Sequence, residues 1–331
     1  MTSNTPSLRI SLLDNSSHSL KRGYELWYQG HTTRDGWLLK EATFWIHHGI
    51  ELALKQLLVQ TNEYLVFDKV DEAVRKLVYL RRQPGMTDAG VLDLFEQDEN
   101  GIVSVSFHNL IQRAALMLNL SEREEGAPLR TNIDELTRYR NKIVHFSIEM
   151  NVNEVSSLLS DILEPLLQLL ASEVQDANFV NNSIPEIRRR AQPVRDLSQY
   201  YEVESVRRVE RLLRKFNGQH VSGSLFSLEG DIVLPVFVGV AASTGAVDIG
   251  ADIKAQSSSE TWLVELKTRL VSGFIERTFD YLDRASKAIP NAKVWLVVMS
   301  EISPLHREKV KQHGFLVSSL DDIARLEQIV L

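Results

Sequence analysis

The stretch VDIGADIKAQSSSETWLVELK, residues 247–267, decides the fold of the second half of the chain. On both sides of the polar segment QSSSE, apolar residues alternate with other residues, as they do in half-buried β-strands. The pattern predicts two strands joined by a turn. Because side chains alternate along a strand, we expect Glu265 and Lys267 on a solvent face and the row that begins at Trp262 in the core.

Around this hairpin, the rest of the second half alternates between strand-like and helix-like patterns. Short apolar segments predict further strands over 232–240 and 294–299, and helical periodicity covers 197–216, 273–288 and 304–313. The order is α-β-β-β-α-β. It predicts an α/β domain with a mixed central sheet.

Acidic residues on the hairpin point to metal chemistry. Asp252 lies on the first strand and Glu265 on the second, while Asp248, four residues before Asp252, shares its face. Two carboxylates brought together would repel each other unless a divalent cation lay between them, and their hard oxygens suit Mg²⁺ or Mn²⁺. Lys267 can polarise a water and neutralise a phosphate. This set is suited to metal-assisted hydrolysis of a phosphodiester, with Asp248 as the alternative ligand to Asp252.

These residues carry a family resemblance. Asp252 followed on the next strand by Glu265-Leu266-Lys267 resembles the PD-(D/E)xK motif of restriction-endonuclease-like nucleases, although Ala251 replaces the usual Pro. The segments GADIKA and WLVELK are most similar to Mrr-like nucleases and archaeal Holliday-junction resolvases, over residues 197–320. The resemblance implies metal ligands Asp252 and Glu265, catalytic Lys267, and a further acid from the helix 201–221, with Glu204 first and Glu210 second.

Two simpler interpretations of the same residues remain open. In one, Asp252 and Glu265 are solvated strand residues and Lys267 is an edge charge that discourages aggregation. In the other, the nuclease-like fold is present but the site is degenerate and only binds nucleic acid.

The first half has the pattern of a helical bundle. From Trp37 to Gln60 apolar residues recur every three or four positions, which predicts a long helix with one buried face. Similar periodicity covers 71–80, 107–118, 133–146 and 154–170. We therefore expect an all-α bundle.

A polar cluster ends the fourth of these predicted helices. In the segment RNKIVH, Asn141 and His145 are i,i+4 neighbours and Arg140 lies beside them. Arg binds phosphate with two parallel donors, and His exchanges protons near neutral pH, so the cluster suits metal-free RNA cleavage by the 2′-hydroxyl. His47 and His48, on the apolar helix, are expected to be packed or interfacial rather than to bind a metal.

This cluster resembles the R-X4-H motif of the HEPN superfamily of helical bundles, and FWIHHGIELALKQLL, residues 44–58, resembles that family's long first helix. The resemblance covers residues 25–172. It implies an RNase site at Arg140, Asn141 and His145 that needs no cofactor, and a homodimer in which two motifs face each other. A HEPN-like bundle fused to a restriction-like nuclease resembles prokaryotic defence proteins that act on phage or plasmids.

The length and composition of the chain indicate its number of domains, its partners and its compartment. The 331 residues predict two domains, over 1–175 and 197–331, with a polar linker 176–196 whose Arg188, Arg189 and Arg190 could follow a phosphate backbone. The formal net charge is −7, and residues 1–175 alone hold 17 Lys and Arg against 24 Asp and Glu. There is no cysteine, which excludes disulfides and thiolate-bound metals, and no apolar run long enough to span a bilayer. We expect a cytoplasmic protein with a DNA or RNA substrate and no membrane partner.

Overall fold

The computed structural model describes most of the chain and separates it into two compact units. The described residues are 10–90, 93–94, 103–120, 123, 126–145, 151–216, 220–222, 231–233, 240–242, 251–256, 261–270, 275–289 and 291–330. The first unit contains residues 1–148 and 161–194, and the second contains 149–160 and 195–331.

The first half of the chain is helical, as its periodicity predicts. Helices lie at α1 (Leu12–Thr33), α2 (Gly36–Thr61), α3 (Val70–Arg81), α4 (Phe107–Met117), α5 (Gly126–His145) and α6 (Val152–Glu173), with a 3₁₀ turn at Glu63–Val66. The predicted long helix over 37–60 is therefore confirmed almost to the residue.

Helix α1 has no counterpart among the predicted helices. Its buried face mixes large side chains at helical spacing, such as Leu20, Tyr24 and Trp27, with serines and glycines that interrupt the apolar pattern. Small residues let α1 and α2 approach closely: Ser16 donates a hydrogen bond to the carbonyl oxygen of Gly49 at 2.8 Å, and a Cβ on Gly49 would lie 2.7 Å from Cγ of Leu20. Close backbone packing here accompanies the complete burial of Leu20, Tyr24 and Trp27.

The segment expected to be an irregular linker is mostly helical. A π-helical turn, Phe179–Ser183, leads into α7 (Ile184–Phe216), so the helix begins 13 residues before the predicted start at Leu197. Pro185 occupies the first turn, where no intrahelical donor is needed. The buried positions recur at three- and four-residue spacing: Ile184, Ile187, Ala191 and Val194. The boundary between the two units falls directly after Val194, within this helix.

The second unit is built on a five-stranded mixed sheet. A separate antiparallel pair, β1 (His220–Ser222) and β2 (Asp231–Val233), precedes it. The strands of the sheet are β3 (Val240–Ala242), β4 (Ile253–Gln256), β5 (Thr261–Lys267), β6 (Ala292–Val298) and β7 (Leu316–Ser319). They lie side by side in this order, antiparallel from β3 to β5 and parallel from β5 to β7. The predicted hairpin is present as β4 and β5.

Helices cover both faces of this sheet. On one face, Val209 of α7 and Ile323 of α10 (Leu320–Val330) share a core with Trp262 and Val264. On the other, helices α8 (Ile275–Ala288) and α9 (Pro304–Gln312) bury Leu263 and its neighbours. Strand β5 is therefore buried on both sides along most of its length. The expectation that its charged face meets solvent is wrong, because β5 is a central strand and the helix that connects it to its parallel neighbour β6 covers that face.

Helix α6 is the one described helix long and apolar enough to cross a membrane. Of its most apolar window, 61% is buried within the folded chain, which is also the pattern of a core helix in a globular protein. Length and composition alone are weak evidence for a membrane span.

Candidate functional site

The hairpin brings Asp252 opposite Glu265. Ile253 of β4 pairs with Val264 of β5, and continuing this antiparallel register by one residue places Asp252 across from Glu265. Asp252 also accepts a hydrogen bond from the backbone N–H of Leu266 at 2.7 Å. The backbone of β5 therefore fixes the Asp252 carboxylate at the edge of the site.

Glu265 and Lys267 form an ion pair on the same face of β5. The Nζ atom of Lys267 donates to Oε1 of Glu265 at 2.5 Å. Glu265 is only 5% exposed, whereas the Lys267 side chain remains partly accessible. The three residues that sequence analysis assigned to one site thus lie together, with one carboxylate buried and the ammonium group beside it.

The electrostatics of the site follow from this burial. Burial raises the pKa of Glu265 to about 7, and the neighbouring Asp252 charge adds to the effect, while Lys267 opposes it. Burial alone would lower the pKa of Lys267, but the charges of Glu265, Asp252 and Glu202 outweigh it and raise that pKa. Lys267 is therefore a cation at neutral pH.

The acid that helix α7 contributes to these surroundings is Glu202. Its charge raises the pKa of Lys267, whereas Glu204 pairs with Arg207 of its own helix at 2.7 Å. The structure does not bring Glu204 to the site. Helical spacing could have distinguished the two: Glu202 is one turn before Val206, which packs against the sheet core, and Glu204 points about 200° away from it.

The Asp252–Glu265 pair fits a hard divalent cation. The buried Glu265 carboxyl has a raised pKa and lies beside a second carboxylate, so a dication between them would stabilise the ionised form of both groups. No group of three or more His, Cys, Asp or Glu side chains arranged for a metal occurs among the described residues, so the protein would supply two carboxylates here. Mg²⁺ commonly binds in this way and keeps several waters. The alternative ligand Asp248 lies outside the described residues.

In the first unit, Arg140 is held in place by two neighbours. Its guanidinium lies 5.6 Å from the ring centre of Phe44 on α2, and its Nη1 donates to Oδ1 of Asn141 at 3.0 Å. Two of the three motif residues are therefore in contact. His145 is the last residue of α5, and its side chain lies outside the described part of the structure, so its proximity to Arg140 stays a prediction.

His47 is packed in the bundle, as expected, while His48 is exposed. The His47 ring lies 4.0 Å from that of Phe107, and its Nε2 is 3.4 Å from Oγ1 of Thr137. Burial, followed by the positive charge of Arg140, lowers the pKa of His47 to about 4. The imidazole is consequently neutral at physiological pH.

The arginine triplet, which by its sequence could follow a phosphate backbone, is matched by carboxylates. Arg188 binds Glu164 through its Nε at 3.1 Å, Arg189 lies 3.8 Å from Glu186, and Arg190 pairs with Glu25 and Glu186. These contacts neutralise much of the positive charge. The structure favours a role for the triplet in fixing the start of α7 within the first unit.

Comparisons of the chain with known protein families, with curated proteins and with solved structures found no match.

Proposed function

We propose that the chain is a two-domain nuclease whose C-terminal domain, restriction-endonuclease-like in fold, hydrolyses phosphodiesters at Asp252, Glu265 and Lys267 with Mg²⁺ or Mn²⁺. One observation supports this above the others: Asp252 and Glu265 lie opposite each other across the β4–β5 hairpin, with Lys267 bound to Glu265. A sheet with solvated charges would not bury Glu265, so this arrangement argues against that simpler interpretation.

Each residue has a definite task in such a reaction. Asp252 and Glu265 would hold the metal, which when bound supplies Lewis acidity and a water of lowered pKa. Lys267, whose pKa is raised, keeps its proton. It would therefore stabilise negative charge on the scissile phosphate and keep Glu265 ionised, rather than act as a general base.

The test is cleavage of single- and double-stranded DNA and RNA in Mg²⁺ and in EDTA. We expect Asp252→Asn and Lys267→Met to abolish Mg²⁺-dependent cleavage. The matched control is Lys309→Met, which removes a surface lysine paired with Glu276 in the same domain. Binding without cleavage in any metal would instead identify a nucleic-acid-binding regulator with a degenerate site.

The second candidate activity is metal-free RNA cleavage by the HEPN-like domain, and the restraint of Arg140 by Phe44 and Asn141 favours it. We expect RNA cleavage that persists in EDTA, leaves 2′,3′-cyclic phosphate ends, and is lost in Arg140→Ala and His145→Ala. If EDTA abolishes cleavage of RNA and DNA alike, the HEPN-like half is a dimerisation or sensing module and only the C-terminal domain cuts.

The wider proposal is a cytoplasmic homodimer that acts in prokaryotic defence against phage or plasmids. A single R-X4-H motif supplies few groups to hold a scissile phosphate, so two copies are expected to pair through the HEPN-like domain. Light scattering of the full chain at tens of micromolar tests this. A monomer at that concentration would contradict both the dimer and the pairing of two R-X4-H motifs in one cleft.

A further inference from the structure

The part of helix α7 that belongs to the second unit exposes two large apolar side chains. Tyr200 is 58% exposed and Val203 is 42% exposed, and they lie about one turn apart on the helix. Among the described residues of the second unit, the one other large apolar side chain with comparable exposure is Leu305. Exposed apolar residues that occur singly need no explanation, but a neighbouring pair on one helix favours a contact surface.

Two exposed charged residues flank this apolar pair at equal distances. Asp196 precedes Tyr200 by four residues, and Arg207 follows Val203 by four. At about 100° per residue, all four side chains project within an arc of about 60° around α7. Val209, which packs in the core of the sheet, projects about 180° from Tyr200, so these four residues form the face of α7 that points away from the core. We call Asp196, Tyr200, Val203 and Arg207 the α7 stripe.

The α7 stripe is complementary to itself. In an antiparallel pair of identical helices related by a two-fold axis, a residue before the midpoint faces the residue at the same distance after it on the other copy. With the midpoint between Tyr200 and Val203, Tyr200 of one copy faces Val203 of the other, and Asp196 faces Arg207 in the same way. Both contacts occur twice in such a pair, which places apolar residues at its centre and opposite charges at each end.

We infer that the α7 stripe binds the same stripe of a second copy of this chain, with the two α7 helices antiparallel. Arg207 pairs with Glu204 of its own helix at 2.7 Å, but its side chain is 62% exposed, and an exposed pair of this kind contributes little to stability. The guanidinium can therefore turn to Asp196 of the second copy. This contact is separate from the pairing proposed for the HEPN-like domain, and it does not depend on nuclease activity.

A covalent cross-link is the appropriate measurement for this contact. About three turns of helix bury less than the roughly 1,200 Å² of a stable complex, so the association by itself is expected to be weak. The chain has no cysteine, so a single introduced cysteine can form a disulfide only with its copy in another chain. In the antiparallel pair, the two copies of residue 203 are offset by about 4.5 Å along the helix axis, which places Val203→Cys within reach of itself.

The experiment compares disulfide formation in full-length single-cysteine variants at tens of micromolar, under a mild oxidant, on non-reducing gels. Val203→Cys should form the dimer at least tenfold faster than Asp280→Cys, which places a cysteine at an exposed position of α8 and reports random collision. Asp196→Arg or Arg207→Asp, added to Val203→Cys, should each slow the reaction about tenfold, because like charges then face each other. Arg211→Asp, at an exposed position one turn after Arg207, is the matched control and should leave the rate unchanged.

Mixing the two charge-reversal variants gives a result that misfolding cannot imitate. In a dimer of one Asp196→Arg chain and one Arg207→Asp chain, one ion pair is native and the other has both of its charges reversed. The mixture should therefore cross-link between unlike chains at about the rate of Val203→Cys alone, although each variant reacts slowly by itself.

Three results would overturn the inference: cross-linking of Val203→Cys no faster than that of Asp280→Cys, equal rates with and without the reversed charges, or no recovery on mixing. The pairing proposed for the HEPN-like domain can fail or stand independently. If light scattering shows a dimer while Val203→Cys does not cross-link, the copies pair through another surface and the α7 contact is wrong.

Discussion

Glu202 of α7 acts electrostatically on Lys267 of β5 and helps to keep that lysine protonated, although the two residues are 65 positions apart in the chain. Glu204, only two residues further along the same helix, pairs with Arg207 instead. The difference between these two glutamates can be tested directly.

The first prediction is that Glu202→Gln raises the Mg²⁺ concentration needed for half-maximal cleavage by about three- to tenfold, equivalent to roughly 0.6 to 1.4 kcal/mol. The cause is the loss of one negative charge near the Asp252–Glu265 pair. Glu204→Gln, an identical change on the same helix, should have no effect. Equal effects of the two variants would show that Glu202 has no special relation to the site.

The second prediction concerns the buried Glu265. Its folded-state pKa of about 7 lies above the ordinary value of 4.5, so the folded protein holds this proton more tightly than the unfolded chain. The contribution of the protonated carboxyl to the free energy of unfolding is fully present below pH 4.5 and is lost as the pH rises through 7. In EDTA at pH 8, Glu265→Gln should therefore increase the free energy of unfolding by roughly 3 kcal/mol.

Denaturant unfolding at pH 5 and pH 8 measures this effect. The gain should shrink toward zero at pH 5, where the wild-type carboxyl is already largely protonated, and added Mg²⁺ should stabilise the wild type but not the variant. A gain of the same size at both pH values would mean that the ionisation of Glu265 is not its source.

The third prediction concerns His47, whose pKa is lowered to about 4 from an ordinary 6.5. The unfolded state binds the proton on His47 more tightly than the folded state does. The neutral imidazole therefore contributes its full share to the free energy of unfolding above pH 6.5, and this contribution is lost as the pH falls toward 4. The loss should approach about 3 kcal/mol in the wild type. His47→Gln should flatten the dependence of unfolding free energy on pH between 6.5 and 4, while His48→Gln, at an exposed position, should leave it unchanged.

The fourth prediction separates stability from binding at the arginine triplet. Arg188→Ala should cost about 1 kcal/mol of unfolding free energy, because it breaks the partly exposed pair with Glu164, and a double-mutant cycle with Glu164→Ala should recover that coupling. Its affinity for nucleic acid should not change. A tenfold loss of affinity without loss of stability would restore the triplet to the role that the sequence suggested.

The sequence predicted correctly the elements whose structure depends on residues close together in the chain. Alternation along 247–267 located the β4–β5 hairpin and placed Asp252, Glu265 and Lys267 together. The burial of Glu265 could not be predicted in this way, because it depends on β6 and on helices supplied by distant parts of the chain.

In the helices that were not predicted, residues of other types interrupt the apolar periodicity. In helix α1, buried serines and glycines lie between the buried Leu20, Tyr24 and Trp27 and interrupt the apolar stripe. The helical pattern of the first half of α7 is hard to recognise because two prolines and three arginines interrupt it, although its buried apolar residues keep helical spacing. Helical spacing favours Glu202 over Glu204 as the acid beside the site, since of these two residues only Glu202 shares a helix face with Val206.

The early start of α7 affects how the first half could be expressed as a separate fragment. A fragment that stops at residue 175 omits Ile184, Ile187, Ala191 and Val194, all of which are buried and belong to the first unit. Its folded core would lack these side chains, and the apolar surface that they cover would face water and promote aggregation. A fragment that ends after Val194 retains them, so the truncation site for an isolated N-terminal domain lies within α7 and not before it.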